Sequence, residues 1–321
     1  MKAMYYTSYG EPEVLHEVEI NKPEIEENEV LIKVNATSVT SGDVRMRRGN
    51  RHSLPMWPLS KLAIGMFKPK KNLLGFEFSG TIEAIGNKVT RYQVGDEVFG
   101  LHSKGTYTEY IQKNEMGIMT IKPQNLTHEE AASVLFGSTT AMFFLQKGNI
   151  ENAKKVLVYG ASGAVGVMVV QIAKYFGKEV TAVAGTRNQE FIRQLGADCV
   201  LDYTQEDYSK LNESYDIVFD TVGKTKYSKV KNVLTENGVY LQTVFGFKKI
   251  FQMIYTNLFS KRKIVCTIST ETLEGLAFLK ERMENEEIKP VVDKVYSLNE
   301  IHKAHDYVET GHKRGSVSIK V

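Results

Sequence analysis

Apolar positions along this chain follow two rhythms. Up to about residue 122 they recur at every second residue in short runs: Glu29-Val-Leu-Ile-Lys-Val-Asn-Ala36, Phe78-Ser-Gly-Thr-Ile-Glu-Ala-Ile85, Glu97-Val-Phe99, then 107–112 and 117–121. Gly86, Gly95-Asp96 and Gly100 punctuate them. Short strands with frequent turns predict a compact β-barrel. From Lys155 the period changes. Strands at 156–159, 179–184, 198–201, 215–219, 238–244 and 263–268 alternate with helices at 164–176, 188–195, 226–234 and 249–259. That alternation predicts a parallel, doubly wound sheet, and so an α/β protein. A helix at 271–285, a strand near 291–296, a helix at 299–309 and a strand at 315–320 close the chain. Thr40-Ser-Gly-Asp43 and Thr127-His-Glu-Glu130 have the spacing of capping boxes; the second opens a helix to about Gln146.

Two stretches break the pattern. Leu54-Pro-Met-Trp-Pro-Leu59 and Leu62-Ala-Ile-Gly-Met-Phe67 form an apolar run interrupted by Pro and Gly, holding the sole Trp. Met56, Trp57 and Phe67 are candidates to line a substrate pocket or lid; packing on another domain is the alternative. The stretch 248–259 reads as core or interface rather than a membrane anchor, because it is too short to span.

Composition changes the picture little. The 321 residues carry 41 Lys and Arg against 38 Asp and Glu, interleaved, so no nucleic-acid footprint is expected. The patches Arg45-Met-Arg47-Arg48 and Lys261-Arg-Lys263 read as solvated faces. Two cysteines, Cys199 and Cys266, lie in apolar strand-like segments, predicting buried thiols, no disulfide framework and a reducing compartment. With no apolar signal core at the N-terminus, the expectation is a soluble cytoplasmic protein with no membrane partner.

The most informative stretch is Val156-Leu-Val-Tyr159, Gly160-Ala-Ser-Gly163-Ala-Val-Gly166, then an apolar helix-length run. Strand, glycine turn and helix in this order predict a dinucleotide site. Gly160 allows the tight turn, Gly163 lets the backbone approach a pyrophosphate, and Gly166 lets helix and strand pack closely. Ala164, Val165 and Gly166 then present helix N-terminal N–H groups to the phosphates, and Ser162 offers its N–H or hydroxyl. The next strand ends in Gly185-Thr186-Arg187-Asn188, with no acidic residue for ribose hydroxyls. A carboxylate would repel a 2′-phosphate, whereas Arg187 would attract it, so NADPH is expected over NADH.

Taken with Val39-Thr-Ser-Gly-Asp43, Gly75-Phe-Glu-Phe-Ser-Gly80, Val94-Gly-Asp-Glu-Val-Phe-Gly100, Ser138-Thr-Thr-Ala141, Leu195-Gly-Ala-Asp198 and Phe219-Asp-Thr-Val-Gly223, these residues give a chain that resembles the medium-chain dehydrogenase/reductase superfamily. Within it, the chain resembles the zinc-independent quinone oxidoreductase and alkenal/enoyl reductase branch. The resemblance implies a GroES-like catalytic domain, 1–124 and 270–321, around a Rossmann NADP-binding domain, 125–269. It implies that Thr140 approaches the nicotinamide, that Thr186, Arg187 and Tyr203 surround the adenosine phosphate, and that Val222, Phe245 and Gly246 border the nicotinamide or its ribose. It also implies a homodimer through an edge strand at 263–269. Ser316 departs from the family's Gly-Lys and is assigned no role.

By the same resemblance, Thr40 and Phe76 stand where zinc relatives place a Cys and a His, so no metal is expected. Glu77 is then a structural hydrogen-bonding group, and His302 and His305 lack a third ligand. Without a Lewis acid the accessible chemistry is reduction of quinones or α,β-unsaturated carbonyls, whose oxyanion needs only hydrogen-bond donors. Thr40 is a candidate catalytic donor, with helix capping as its other role. The alternatives are a low-turnover NADPH-binding sensor or structural protein, and a zinc-independent alcohol dehydrogenase or enoyl-thioester reductase.

Overall fold

The period-two runs become strands in the computed structural model, which describes residues 1–51, 54 and 56–321. In chain order these are β1 (Lys2–Tyr6), β2 (Leu15–Glu19), β3 (Glu29–Ser38), β4 (Glu77–Ile85), β5 (Glu97–Leu101), β6 (Tyr110–Asn114) and β7 (Met119–Ile121). Helices α1 (Ser41–Arg48) and α2 (Leu59–Ile64) lie between β3 and β4, and α3 (His128–Lys147) follows β7. Next come β8 (Lys155–Tyr159), α4 (Ala164–Tyr175), β9 (Glu179–Ala184), α5 (Gln189–Gln194), β10 (Cys199–Asp202) and β11 (Tyr215–Asp220). Then α6 (Tyr227–Val230), β12 (Leu234–Gln242), α7 (Phe247–Phe259) and β13 (Lys263–Cys266) precede α8 (Leu273–Glu284), β14 (Val292–Ser297), α9 (Ile301–Glu309) and β15 (Ser316–Lys320).

These elements form two units. The first holds Met1–Phe136, Glu271–Glu286 and Pro290–Val321; the second holds Gly137–Thr270 and Glu287–Lys289. The chain passes from one to the other within α3.

In the first unit, strands of the described residues run in the order β14-β15-β3-β4-β5-β7, with β6 also on β3. All of these pairs are antiparallel except β14 with β15. The last strand of the chain thus completes a sheet begun by residues near its start: Ser318 lies opposite Ser38. Val30, Ile32 and Val34 alternate along β3 into a core with Phe78, Ile82, Val98, Ile111 and Met119. Both expected capping boxes are present. The Thr40 hydroxyl accepts from the Asp43 N–H at 3.2 Å, while Asp43 Oδ2 accepts from the Thr40 N–H at 2.9 Å. Thr127 and Glu130 reciprocate in the same way at the start of α3.

In the second unit, the parallel sheet has the order β10-β9-β8-β11-β12-β13. The chain builds outward from β8 to β10, then crosses back to the other side of β8 for β11. Leu157, Val183, Leu201, Val218, Tyr240 and Ile264 pack one face of this sheet.

Several expectations are corrected. The helix predicted over 226–234 shrinks to α6 and β12 begins at Leu234, because Tyr215 pairs with Leu234 across a register shift in the sheet. Cys199 is exposed, since it opens β10, one of the two edge strands of that sheet, whereas Cys266 is buried. The 45–48 patch is not a solvated face. Arg47 is fully buried, its Nη2 donating to Glu309 Oε2 at 2.8 Å, and Glu309 Oε1 meets Arg48. Nor is α7 core throughout: Phe251, Tyr255, Leu258 and Phe259 are exposed. β1, β2 and α2 were not expected from the pattern.

Candidate active site

In the second unit, the carboxyl ends of the central strands lie side by side. Tyr159, the last residue of β8, is in register with Val183 of β9 and Asp220 of β11, and Asp220 with Gln242 of β12. Strand order reverses at β8, the point where open α/β sheets form a ligand crevice. Every expected cofactor residue outside α3 lies in a loop or helix start just beyond these ends.

The glycines of the turn differ in what they demand. Gly160 has φ +81°, and a Cβ there would meet Thr221 Oγ1 at 2.7 Å and Val222 at 2.8 Å. At Gly166 a Cβ would stand 2.3 Å from the Gly160 carbonyl oxygen, so α4 packs on the turn only with glycine there. At Gly163, the N-cap of α4, the nearest atom to a Cβ would be Gly160 O at 3.7 Å. Nothing in the fold requires glycine at this position, and no side chain caps α4. An uncapped helix start behind an open, side-chain-free backbone suits a pyrophosphate. The residues present therefore fit a dinucleotide.

The adjoining loop after β9 holds Gly185, Thr186 and Arg187. Thr186 and Arg187 are exposed, and the Tyr203 ring, 54% exposed, stands against Gly185 at contact distance from a Cβ there. An acidic residue does lie nearby, at the end of β10 rather than β9. Asp202 accepts from the Thr186 hydroxyl, from the Thr204 N–H at 2.9 Å and from the Thr204 hydroxyl at 2.7 Å. Its hydrogen bonds, that from Thr186 foremost, hold its carboxyl below the usual range. Thr186 is thereby oriented by a residue to which the sequence pattern assigns no role.

Asp220, ending β11, was also passed over. It is fully buried and accepts from the N–H groups of Val222 (3.1 Å), Gly223 (2.7 Å) and Thr225 (2.9 Å). It thus fixes the loop carrying Val222, while Thr221 Oγ1 donates to Tyr159 O at 3.0 Å and ties that loop to the glycine turn. Phe245 precedes Gly246, which opens α7, and a Cβ at Gly246 would meet nothing within 4 Å. Thr140, in α3, is buried with its hydroxyl making no hydrogen bond among the described residues.

In the first unit, Thr40 is buried and its hydroxyl donates to Asp43 Oδ2 at 2.6 Å. Asp43 also accepts from the Gly75 N–H at 2.9 Å, and burial raises its pKa. Glu77 accepts from the Ser38 hydroxyl and from the Phe136 N–H at 2.7 Å. Burial pushes its pKa up to about 7. Folding therefore favours its protonated form. That stability is fully present below about pH 4.5 and is lost as pH rises to about 7. A Glu77→Gln variant is expected to flatten this dependence. Urea unfolding of the two proteins should show their stability difference changing by roughly 3 kcal/mol over that window.

Of the pocket candidates, Trp57 is 40% and Phe67 94% exposed, Met56 is half-buried, and the Arg51 guanidinium stands 5.8 Å from the Trp57 ring. His52, Ser53 and Pro55 lie outside the described residues. His305 points into the core, sharing a hydrogen bond of 3.2 Å with the Tyr107 hydroxyl. Among the described residues no group of three or more His, Cys, Asp or Glu could hold a metal ion.

A mixed sheet of β3–β7, β14 and β15 and a doubly wound sheet with a glycine turn define a dehydrogenase-type fold. Comparison with known proteins agrees. Residues 26–149 match the alcohol dehydrogenase GroES-like domain, and 195–317 a zinc-binding dehydrogenase domain. The 2-methylene-furan-3-one reductase of Solanum lycopersicum is 31% identical over 99% of this chain and 79% of its own. The chloroplastic NADPH-dependent alkenal/one oxidoreductase of Arabidopsis thaliana is 30% identical with the same coverage. A solved quinone oxidoreductase from Coxiella burnetii superposes with a TM-score of 0.88 at 28% identity, covering 100% of this chain and 99% of that one. The chain belongs to the medium-chain dehydrogenase/reductase superfamily, in its quinone oxidoreductase branch.

Proposed function

We propose that this chain is an NADPH-dependent oxidoreductase that reduces quinones or α,β-unsaturated carbonyls by hydride transfer, without zinc. The observation that carries the reading is the row of glycine turn, Arg187 loop and Val222 loop beyond the strand ends at the reversal of strand order. The chain's similarity to a 2-methylene-furan-3-one reductase and to an NADPH-dependent alkenal/one oxidoreductase supports it.

Bound NADPH supplies the hydride. The chain's own residues bind and orient it. Gly160, Ser162 and Gly163, with the N–H groups of Ala164, Val165 and Gly166, take the pyrophosphate. Arg187 takes the 2′-phosphate, with Tyr203 and the Asp202-tethered Thr186 beside it. Thr140, Val222, Phe245 and Gly246 hold the nicotinamide end. Replacing Arg187 with Ala is expected to weaken NADPH by about 1.5–3 kcal/mol, the scale of hydrogen bonds to a charged group, and to leave NADH unchanged. Fluorescence titration with both nucleotides checks it; equal NADPH affinity in the variant removes Arg187 from the site.

Hydride addition leaves an enolate or quinol anion, which one donor can stabilise. Thr40 is the proposed donor, and to act it must turn its proton from Asp43. Thr40→Val is expected to cut kcat roughly tenfold or more and to cost about 1 kcal/mol of stability through the lost cap. Undiminished turnover would leave Thr40 a cap alone. Met56, Trp57 and Phe67 are proposed to face a bulky apolar substrate.

Thr40 and Phe76 in place of the Cys and His of zinc relatives support zinc-free chemistry. The first test is NADPH consumption by chelator-treated protein, offered a naphthoquinone and a medium-chain alkenal separately, with NADH as control. Chelator-indifferent turnover with NADPH is expected; turnover restored only by zinc overturns the reading. We also propose a homodimer paired along the outermost strand β13, checked by its mass in light scattering, and a cytoplasmic location, in keeping with the exposed free thiol of Cys199 and checked by fractionation.

A further inference from the structure

The apolar pattern over 248–259 predicts core or interface, with no membrane partner. The structure fixes one side of α7 on the sheet and turns the other outward. On the inner side, Met253 packs with the core beneath and Thr256 is buried. Asn257 clamps the helix to β13, its Nδ2 donating to Ile264 O at 3.0 Å and its Oδ1 accepting from the Ile264 N–H at 2.8 Å. Lys249 also turns inward, donating to the carbonyls of Gly223 and Val244 at 3.1 Å.

The outward side is the reverse of what a solvated helix carries. Phe247, Phe251, Tyr255 and Phe259 stand one turn apart in a ridge about 18 Å long at 1.5 Å per residue, flanked by Ile254 and Leu258. All six are between 41% and 74% exposed. With Asn257 holding the helix, this face cannot roll inward to bury itself. A contiguous exposed apolar face of this kind marks an interaction surface.

Charge decides the partner. Between Glu236 and Glu271 the chain has no acidic residue but carries Lys248, Lys249, Lys261, Arg262 and Lys263. Lys248 lies at the rim of the apolar face; Lys261, ion-paired with Glu236 at 2.8 Å, and Lys263, donating to the Asn257 carbonyl at 2.9 Å, are exposed just past the end of α7, while Arg262 turns inward to the Leu234 and Thr235 carbonyls at 3.2 Å. An isologous contact with a second copy would bring these cations against their own kind. An aromatic ridge rimmed by lysines instead matches an interfacial helix, whose apolar side enters the boundary of an anionic leaflet while the cations meet lipid phosphates. We propose that the outward face of α7 docks this protein on an anionic phospholipid surface. The inference goes beyond the reductase reading and stands independently of it.

The test is flotation of the full chain with vesicles of phosphatidylglycerol and phosphatidylcholine, and with phosphatidylcholine alone. Binding is expected to the first, at least about fivefold above the second, and to weaken severalfold when salt is raised from about 0.1 to 0.5 M. A Phe251→Gln/Leu258→Gln variant should lose it, and Lys248→Glu/Lys261→Glu should lose it on anionic vesicles, both with unchanged NADPH binding as evidence of folding. No binding to anionic vesicles overturns the proposal, as does binding that survives both variants. A wild-type dimer that Phe251→Gln/Leu258→Gln dissolves in the absence of lipid also overturns it, since the face then belongs to a second copy.

Discussion

Gly163→Ala is expected to fold like the parent and to lose NADPH, whereas Gly166→Ala is expected to lose stability and NADPH together. The two glycines share a turn yet do different work. A Cβ at Gly166 would sit 2.3 Å from the Gly160 carbonyl oxygen and 2.7 Å from Ala161, all backbone, so α4 must move off the turn. Overpacking of this kind costs about 1–3 kcal/mol. A Cβ at Gly163 comes no nearer than 3.7 Å to any atom of the fold, and φ there is an ordinary −80°. Its stability should stay within about 0.5 kcal/mol of the parent. If the backbone at this point meets the pyrophosphate, the added methyl intrudes on the ligand alone. NADPH affinity should then fall at least tenfold, about 1.4 kcal/mol. Paired urea unfolding and nucleotide titration separate the two. Gly163→Ala protein that binds NADPH like the parent would place the pyrophosphate elsewhere.

The second large effect is far from the nucleotide. Arg47 is fully buried with Glu309 as its carboxylate partner, and its Nε and Nη1 make no hydrogen bond among the described residues. Around it lie the hydrophobic neighbours that pack α1 and α9: Val44, Ile301, Ala304 and Val308. His305 nearby is held neutral, its pKa well below the ordinary value through burial and the Arg47 charge. It offers no compensation. Removing one partner of a buried pair strands the other charge without water, which costs about 3–5 kcal/mol. Glu309→Ala should therefore destabilise the first unit by that amount. Arg47→Met should cost less, because a chain of similar length fills the space without a charge. The double variant should fall well short of the sum, since no charge is then left unpaired. Urea midpoints for the four proteins give this cycle; additive losses would mean that Arg47 is neutralised by something other than Glu309.

These two sites show how much was legible beforehand. The glycine turn, both capping boxes and the alternation of β8 to β13 with their helices depend on residues within a few positions of one another. Period and spacing therefore expose them. The same holds for Arg187, whose place follows from counting past a strand end, whereas Tyr203 is reached only through the resemblance. The helix at 226–234 was overextended because its tail has a helical pattern locally but is captured by Tyr215 in the sheet. Asp202 escaped notice because its value to the site comes from Thr186, sixteen positions away on a neighbouring strand's loop. Asp220 lay inside a quoted motif, yet only the fold shows it gathering the N–H groups of the loop that follows.

The sequence by itself determined the local order: strand, glycine turn and helix, caps, and the absence of a carboxylate after β9. Backbone sterics and side-chain periodicity act over a few residues and leave a direct trace in the chain. The tertiary structure decided what burial does to individual groups. It took Arg47 from an apparent surface patch into the core by bringing Glu309 from 262 positions away. It left the apolar side of α7 facing outward by clamping Asn257 to β13. Desolvation and pairing depend on which distant segments meet, and a linear pattern carries that only once the sheets are assembled.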